Sequence, residues 1–356
     1  MGKSKTFGFF GKLLLWVNSL IAFLLLISFL IPYLSPKSFP TLSLLSLAVS
    51  PLLLANILFA IYWLVRMKKK FFISFLILVI AYFHFNPFYM FSSEEDTSEY
   101  RQTLNVLSYN VRLFNAYEKE PGVGIDEKMN ALISENTPDI IGIQEYYLYA
   151  EDYFEEFEHQ FVHFQQKLNK KGRPIRNNLG HAIFSKYPIV NKGGFDFDDS
   201  NNNVIWADIA MHNDTIRVYN MHLQSLGIEP RVSSLQKGDT KKLRARLAET
   251  FAQQEDQVAQ VLAHRNESPF PVIMMGDMNN TPFSYIYRRL KDNLTDAFLE
   301  KGNGLGTTYV FDSYPMRIDY IFSDAKMKVL HFESVERTFS DHRPLTATLG
   351  WNRITK

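Results

Sequence analysis

In the stretch PVIMMGDMNNTPFS, residues 271–284, a short apolar run ends in Asp277 and Asn279. A carboxylate and a carboxamide one residue apart, at the tip of what reads as a buried strand, make either an ordinary turn or part of a site built at a strand end. The same punctuation recurs along the chain. Apolar strands end in Asn110, Glu145 and His222, Asp319 lies inside RIDYIF, and SDHRP brings Asp341 and His342. Each has a bland reading alone: Asn110 a strand-end cap, Glu145 a surface acid, His222 a satisfied core histidine, Asp319 the ion-pair partner of Arg317. Together they form a set of hard oxygen ligands with two histidines and no cysteine, which suits Mg²⁺ or Mn²⁺ and phosphate chemistry.

The elements that must position these residues follow from periodicity. TLNVLSYNV (103–111) and DIIGIQE (139–145) read as buried strands, and PVIMM runs to Gly276, which is expected to turn the backbone. GHAIFSKYPI reads as a strand, and VIWADIAMHNDTIRVYNMHL as a hairpin turning at HND. IDEKMNALISENTPD places Ile125, Met129, Leu132 and Ile133 on one helical face and stops at Pro138. The segment from Asp239 to Arg265 is a long amphipathic helix with Leu243, Leu247, Phe251, Val258 and Leu262 as its apolar stripe. FSYIYRRL opens a further helix behind Pro282, and GNGLGTTY, whose glycines resemble a nucleotide loop, follows a helix rather than a strand and is read as a loop. Strands, some paired and some separated by helices, are satisfied by two inner sheets with helices outside.

The front of the chain is different. Residues 13–31, 42–65 and 71–91 contain no charged residue over 19, 24 and 21 positions, each near the roughly 20 apolar residues a membrane span needs. Three such runs predict a three-span anchor over 1–91, followed by an acidic linker at 92–102. The first run is too long, and lacks the small-residue site, for a removable signal peptide. Lys3, Lys5 and Lys12 precede the first run and RMKKK separates the second from the third, whereas the intervening loop holds only Lys37. That asymmetry predicts a multi-pass protein of the cytoplasmic membrane, with the C-terminal domain on the extracytoplasmic side. His84 is the only ionisable residue within the runs apart from tyrosines, so they read as an anchor rather than a transport path.

Eight of the 38 Lys and Arg and four of the 37 Asp and Glu lie in residues 1–99, leaving 30 against 33 and a net charge of −3 for the rest. A dedicated nucleic-acid binder usually carries net positive charge. The local basic clusters at 167–176 and 241–246 read as solvated faces or as the lining of a groove. With no cysteine in the chain, the domain folds without disulfides and uses no thiolate chemistry.

The motifs SYNVR, DIIGIQE, GHAIFSKYPI, YNMHLQS, GDMNNTP, RIDYIF and SDHRP, in that order across residues 103–350, resemble the endonuclease/exonuclease/phosphatase superfamily. That group includes DNase I-like nucleases, inositol polyphosphate phosphatases and neutral sphingomyelinases. The resemblance implies a DNase I-like α/β fold, a two-sheet sandwich with outer helices, here preceded by three transmembrane helices. It also implies a divalent-metal site at Asn110 and Glu145, with Glu145 the principal ligand and Asp341 an acid nearby. Asp277 matches the carboxylate that orients or deprotonates the attacking water, and Asn279 a donor to the phosphate. His342 matches the catalytic histidine, oriented by Asp319. His222 matches the second histidine, although no carboxylate to support it is evident around NNLGHAIF, where His181 and Asn178 are the nearby polar residues. His222 also stands where the abasic-site repair branch carries a tyrosine-containing motif, which disfavours that branch. Arg112 follows the first motif and faces phosphate or solvent. The expected activity is Mg²⁺- or Mn²⁺-dependent hydrolysis of a phosphodiester at the bilayer, with lipid head groups ranked ahead of nucleic acid. The alternatives are an extracytoplasmic DNA or RNA nuclease and a non-catalytic binding protein on the same fold.

Overall fold

The computed structural model describes residues 8–85, 89–93, 95–116, 124–147, 151–165, 167–168, 174–175, 179–198, 200–212, 214–227 and 239–352. Lys3, Lys5, Asn178 and most of the basic stretch 167–176 therefore lie outside the described residues.

Three apolar helices come first: α1 (Phe9–Ser28), α2 (Val49–Val65) and α3 (Phe71–Phe85). They pack through Ala22, Leu25, Phe29, Leu52, Leu53, Ile77 and Ala81. A polar relay crosses all three: Trp63 Nε1 donates to Asn18 Oδ1 at 2.7 Å and Asn18 Nδ2 donates to Ser74 Oγ at 2.8 Å. The outer surface of the bundle is apolar, with Phe10, Trp16, Phe23, Leu58, Leu64, Phe72 and Ile80 all exposed.

Two apolar helical stretches, Phe9–Tyr33 and Pro40–Val65, are long enough to cross a membrane. The third expected span is not of that length. Instead of running through 71–91, the helix covers the 15 residues Phe71–Phe85, about 22 Å at 1.5 Å per residue, short of a hydrocarbon core of about 30 Å. Further along, Met90 exchanges both backbone hydrogen bonds with Gly304, each 2.9 Å, and so belongs to the domain that follows.

The expected linker is also laid down on that domain. Ser92 binds Asn303 and Gly302, Glu95 N–H reaches the Leu330 carbonyl, and the Glu95 carboxylate pairs with Lys301 and Lys328.

The domain is an α/β sandwich of two mixed sheets. Apart from a two-residue pair, Lys167–Leu168 with Pro174–Ile175, its strands are β1 (Gln102–Asn110), β2 (Ile140–Tyr147), β3 (His159–Phe164), β4 (Leu179–Ser185), β5 (Ile189–Asp196), β6 (Asn203–Met211), β7 (Asp214–His222) and β8 (Val272–Asp277). There follow β9 (Leu294–Asp296), β10 (Tyr309–Phe311), β11 (Tyr314–Met316), β12 (Asp319–Asp324), β13 (Lys328–Ser334) and β14 (Leu345–Trp351). One sheet has the order β13-β14-β1-β2-β4-β3 and the other β9-β12-β8-β7-β6-β5, with β10 and β11 a separate hairpin. Val106, Ile140 and Ala347 of the first sheet meet Ile205, Val218, Ile273 and Ile321 of the second in one fully buried core.

Helix α4 (Ile125–Asn136) covers the outer face of the first sheet with Ile125, Met129, Leu132 and Ile133, the face the periodicity predicts. It ends at Thr137, which takes a left-handed backbone ahead of Pro138. Helix α5 (Thr240–Asn266), capped by Asp239, covers the second sheet with Val258, Val261 and Leu262. Leu247 and Phe251 are buried as the stripe predicts, while Leu243, in the first turn, is half-buried. The short α6 (Tyr285–Lys291) follows β8, as expected from FSYIYRRL.

Candidate active site

The two sheets bring their strand ends together at one end of the sandwich. In the second sheet His222, Asp277 and Asp319 stand side by side on adjacent strands, because Asp277 pairs with His222 across β7–β8 and with Asp319 across β8–β12. In the first sheet, Asn110 at the end of β1 pairs with Gln144 of β2, and Glu145 follows. A buried polar bolt ties the sheets just beneath: Gln144 Nε2 donates to Asn220 Oδ1 at 2.5 Å, and Asn220 Nδ2 donates to the Ile143 and Ala182 carbonyls at 2.8 and 2.9 Å.

Gly276 does not turn the chain. It lies within β8 with φ 133°, its backbone pressed so closely on Met221 that a Cβ would collide with the Met221 carbonyl. The glycine therefore lets β8 and β7 run together up to Asp277 and His222. Sharp backbone appears elsewhere in the site, at Glu145 (φ 54°), Asn279 (φ 48°) and Arg112 (φ 47°). Left-handed conformations of this kind in non-glycine residues are sustained only where the surroundings enforce them. Glu145 achieves its by a register shift of β2 between Ile143 and Tyr146.

Asp277 Oδ2 is the hub. Asn110 Nδ2 lies 3.1 Å away, Asn279 Nδ2 3.3 Å, His222 Nε2 3.5 Å and His342 Nε2 3.7 Å. Burial first, and then the charge of Asp319, raise the Asp277 pKa. His342 Nδ1 contacts both Asp319 oxygens at 3.0 and 3.1 Å. Burial works against a charged His342, but Asp319 and Asp277 outweigh it and hold its pKa above the ordinary histidine range. Asp319 is thus the partner of the histidine and not of Arg317, whose guanidinium pairs instead with Asp296 at 2.7 Å. A carboxylate on Nδ1 keeps the proton on that nitrogen, so that Nε2 faces the site and carries the proton gained when the ring becomes charged.

His222 is the opposite case. Among the described residues its Nδ1 is buried without a hydrogen-bond partner, and its ring packs 5.5 Å from that of His181, which lies beside Asn203. Burial, then the neighbouring His181 and His342, push the His222 pKa well down, and burial takes His181 to about 3. Among the described residues no carboxylate stands behind His222 Nδ1, so burial there favours the neutral imidazole.

Asn279 is held inward. Its backbone N–H binds Asp277 Oδ1 at 2.8 Å, and its amide hydrogens go to the Leu223 carbonyl at 3.0 Å and to Asp277. In this arrangement its amide braces the turn and Asp277. Arg112 Nε lies 3.8 Å from Asp341 Oδ2, and both side chains are partly exposed at the rim.

The donor set suits a hard cation. Glu145 is a half-buried carboxylate whose pKa burial raises, and among the described residues its basic contact within 4 Å is His222 at 3.9 Å. A divalent ion is the partner such an acid lacks. Asn110 Nδ2 lies 3.3 Å from Glu145 Oε1, and rotation of that amide would offer an oxygen in its place. The other cluster of ligand-type atoms, Asp277, Asp319 and His342, is already internally paired through the histidine.

Two residues here escape a reading of the sequence. The Tyr309 ring packs 4.8 Å from the His342 ring, and the Thr308 hydroxyl accepts the backbone N–H groups of Ile318 and Asp319 at 3.0 and 3.1 Å. Both end the GNGLGTTY stretch, where the glycines drew attention and the Thr–Tyr pair carried no signal of its own.

The apolar helices dock at this same end. The Thr281 hydroxyl, two residues beyond Asn279, donates to the Ser46 carbonyl at 3.1 Å, and Phe283 packs on Phe85 with centroids 5.1 Å apart. The α1–α2 connection clamps α5, with Ser35 Oγ 2.8 Å from both Glu255 oxygens and Lys37 paired with Asp256.

The family model for the endonuclease/exonuclease/phosphatase family matches residues 107–342, and that of a domain of unknown function, DUF8431, matches residues 11–88. No curated protein matches the chain. Among solved structures, the endonuclease/exonuclease/phosphatase from Beutenbergia cavernae DSM 12333 is 19% identical, with 71% of this chain and 72% of that one covered and a TM-score of 0.52. An endonuclease/exonuclease/phosphatase family protein from Bacteroides thetaiotaomicron is 19% identical, with 71% and 99% covered and a TM-score of 0.50.

Proposed function

Because the chain belongs to the endonuclease/exonuclease/phosphatase family, a family of phosphoester hydrolases, we propose that it is a membrane-embedded, divalent-metal-dependent phosphoesterase that acts on the phosphodiester of a bilayer lipid. The observation that carries this reading is the docking of the apolar helices on the loop that follows Asp277 and Asn279. A site so joined to the bundle meets head groups, while a long polyanion must approach a domain of net charge −3 at the bilayer surface.

In this reading Glu145, Asn110 and Asp341 would hold Mg²⁺ or Mn²⁺. The ion, when bound, neutralises phosphoryl oxygens and eases attack on an anionic ester. Asp277 orients the attacking water and accepts its proton, a role suited to a buried carboxylate of raised pKa. His342, kept protonated by Asp319, donates Nε2–H to a phosphoryl oxygen as charge builds there. Neutral His222 adds a second hydrogen-bonding group from the opposite side of Asp277, and Asn279 holds the Asp277 carboxylate in place.

The membrane placement has its own support. The bundle exposes apolar side chains on its outer face, which in water would be an aggregation surface. The domain contacts the α1–α2 connection and the end of α3, so all three share one side, and the RMKKK turn lies on the other with the start of α1. With basic residues inside, that side is extracytoplasmic, which requires the 15-residue α3 to cross a bilayer thinned to its length.

The test is turnover by the full-length chain in lipid nanodiscs with Mg²⁺, against phospholipids, sphingomyelin, phosphoinositides, DNA and RNA. Release of a phosphorylated head group is expected. Efficient DNA cleavage that falls steeply with salt, with every lipid left intact, would overturn the lipid reading and leave a nuclease.

A further inference from the structure

A cavity of about 410 Å³ lies between α2 and the β10–β11 hairpin, within the ~300–1,000 Å³ range of ordinary ligand pockets. One wall is a helical stripe: Leu47, Ser50, Leu54 and Ile57 recur at spacings of three and four residues. The facing wall is Tyr314, Pro315 and Met316, with Leu305 at the edge and Phe283 and Phe298 behind. Leu54 and Leu305 are 51% and 47% exposed, so the cleft is open between them. Arg317 also lines it, but its charge is satisfied by Asp296 at 2.7 Å. The Thr281 hydroxyl on the same wall is occupied by the Ser46 carbonyl. The lining therefore calls for no charged ligand.

Two further features say what fits there. Along α2 the stripe continues into Leu58, Ile61 and Leu64, all exposed on the outer face of the bundle, so the cleft and that apolar face form one surface. At its other side it lies against the site. Met316 is the cross-strand partner of Tyr309 in the hairpin, and the Tyr309 ring packs on His342. A single hairpin thus separates an apolar cleft from the catalytic histidine.

We propose that this cleft binds one hydrocarbon chain of a bilayer lipid and so holds that lipid with its phosphodiester at the site. The inference rests on the membrane placement argued above and extends the proposed substrate from a head group to a whole lipid. A chain leaving the bilayer along α2 exchanges apolar surroundings for apolar surroundings, and the two outer residues, Leu54 and Leu305, are its gate.

The experiment uses the full-length chain in nanodiscs containing phosphatidylcholine with a diazirine near the end of one acyl chain. Photolysis followed by peptide mapping is expected to enrich adducts on residues 47–57 and 305–316 over the lipid-facing residues of α1 and α3. Leu54→Trp, which fills the mouth from an exposed position, is expected to lower those adducts at least about fivefold. It should also cut turnover of a long-chain lipid about tenfold against its short-chain analogue, by removing chain contact, while hydrolysis of bis(p-nitrophenyl) phosphate stays unchanged. That last measurement also reports on folding. Adducts spread evenly over the bundle, or a pattern that Leu54→Trp leaves unaltered, would overturn the cleft assignment even in an active phosphoesterase. Adducts confined to the cleft in a protein that hydrolyses no phosphoester would support the cleft and overturn the catalytic reading instead.

Discussion

At the scale of single residues, the two histidines of the site are set up differently by what stands behind them. His342 has a carboxylate on Nδ1 and is driven toward the cation, whereas His222 has an unpartnered Nδ1, a second histidine at its back and a pKa pushed down. The first is suited to donate a proton and the second to act as a neutral hydrogen-bonding group. Asp277→Asn, His342→Asn and Glu145→Gln are each expected to lower kcat/KM at least ~10²-fold, since in the proposed mechanism they remove a base, a donor and a cation ligand at the reacting phosphate. The circular dichroism spectrum should be unchanged. Near-normal turnover in two of the three would show that the site lies elsewhere. Chelation by EDTA is expected to abolish activity and added Mg²⁺ or Mn²⁺ to restore it. Glu145→Gln should require a higher metal concentration than the wild type, and an identical metal titration would remove Glu145 from the ligand set.

At the scale of elements, β8 matters most, because its register with β7 and β12 is what aligns His222, Asp277 and Asp319. Gly276 permits that register. Gly276→Ala introduces a Cβ against the Met221 carbonyl in a backbone conformation L residues rarely adopt. A cost of at least about 2 kcal/mol follows from overpacking and strain together, to be read as a lowered Tm of the full chain. An unaltered Tm would mean that the strands are less closely apposed than described.

The segment after α3 is a second element whose behaviour can be stated. Glu95 pairs with Lys301 and Lys328, and hydrogen bonds to these lysines lower its pKa to about 2. A depressed folded-state pKa means that the contribution is present above the ordinary glutamate value and is lost as pH falls toward 2. Backbone amides near Ser92 and Glu95 should therefore lose hydrogen-exchange protection between about pH 4.5 and 2, and Glu95→Gln should show the unprotected behaviour already at neutral pH. Protection in the variant equal to that of the wild type at pH 7 would exclude the ion pairs as the tie.

At the scale of the whole molecule, the bundle and the sandwich are joined by contacts from three separate segments: the α1–α2 connection, the end of α3 and Met90. A swinging tether would behave differently from this docked arrangement, and the difference is measurable. A reporter fused after Lys356 should be active only in its extracytoplasmic form. A reporter functional only in the cytoplasm would reverse the proposed topology and with it the access to outer-leaflet lipid.

The sequence alone was sufficient for the class of fold, for the buried faces of α4 and most of α5, and for the residues that gather at the site, because these depend on local period and on motifs that keep their order. Seven spaced motifs with oxygen and imidazole side chains at strand ends could be read without knowing where the strands lie. Contacts between distant segments could not. That Asp319 pairs with His342 and not with its neighbour Arg317 is decided by strand register, and Arg317 turns instead to Asp296 across the outer face of the sheet. That Gly276 serves close approach and not a turn depends on Met221, 55 positions earlier. The third apolar run is uncharged up to residue 91 and looks like a span, but hydropathy does not register that Met90 finds backbone partners in Gly304. Only the packed chain shows that the apolar helices dock beside Asp277, because nothing local in Ser46 or Thr281 marks them as partners across 235 positions of sequence.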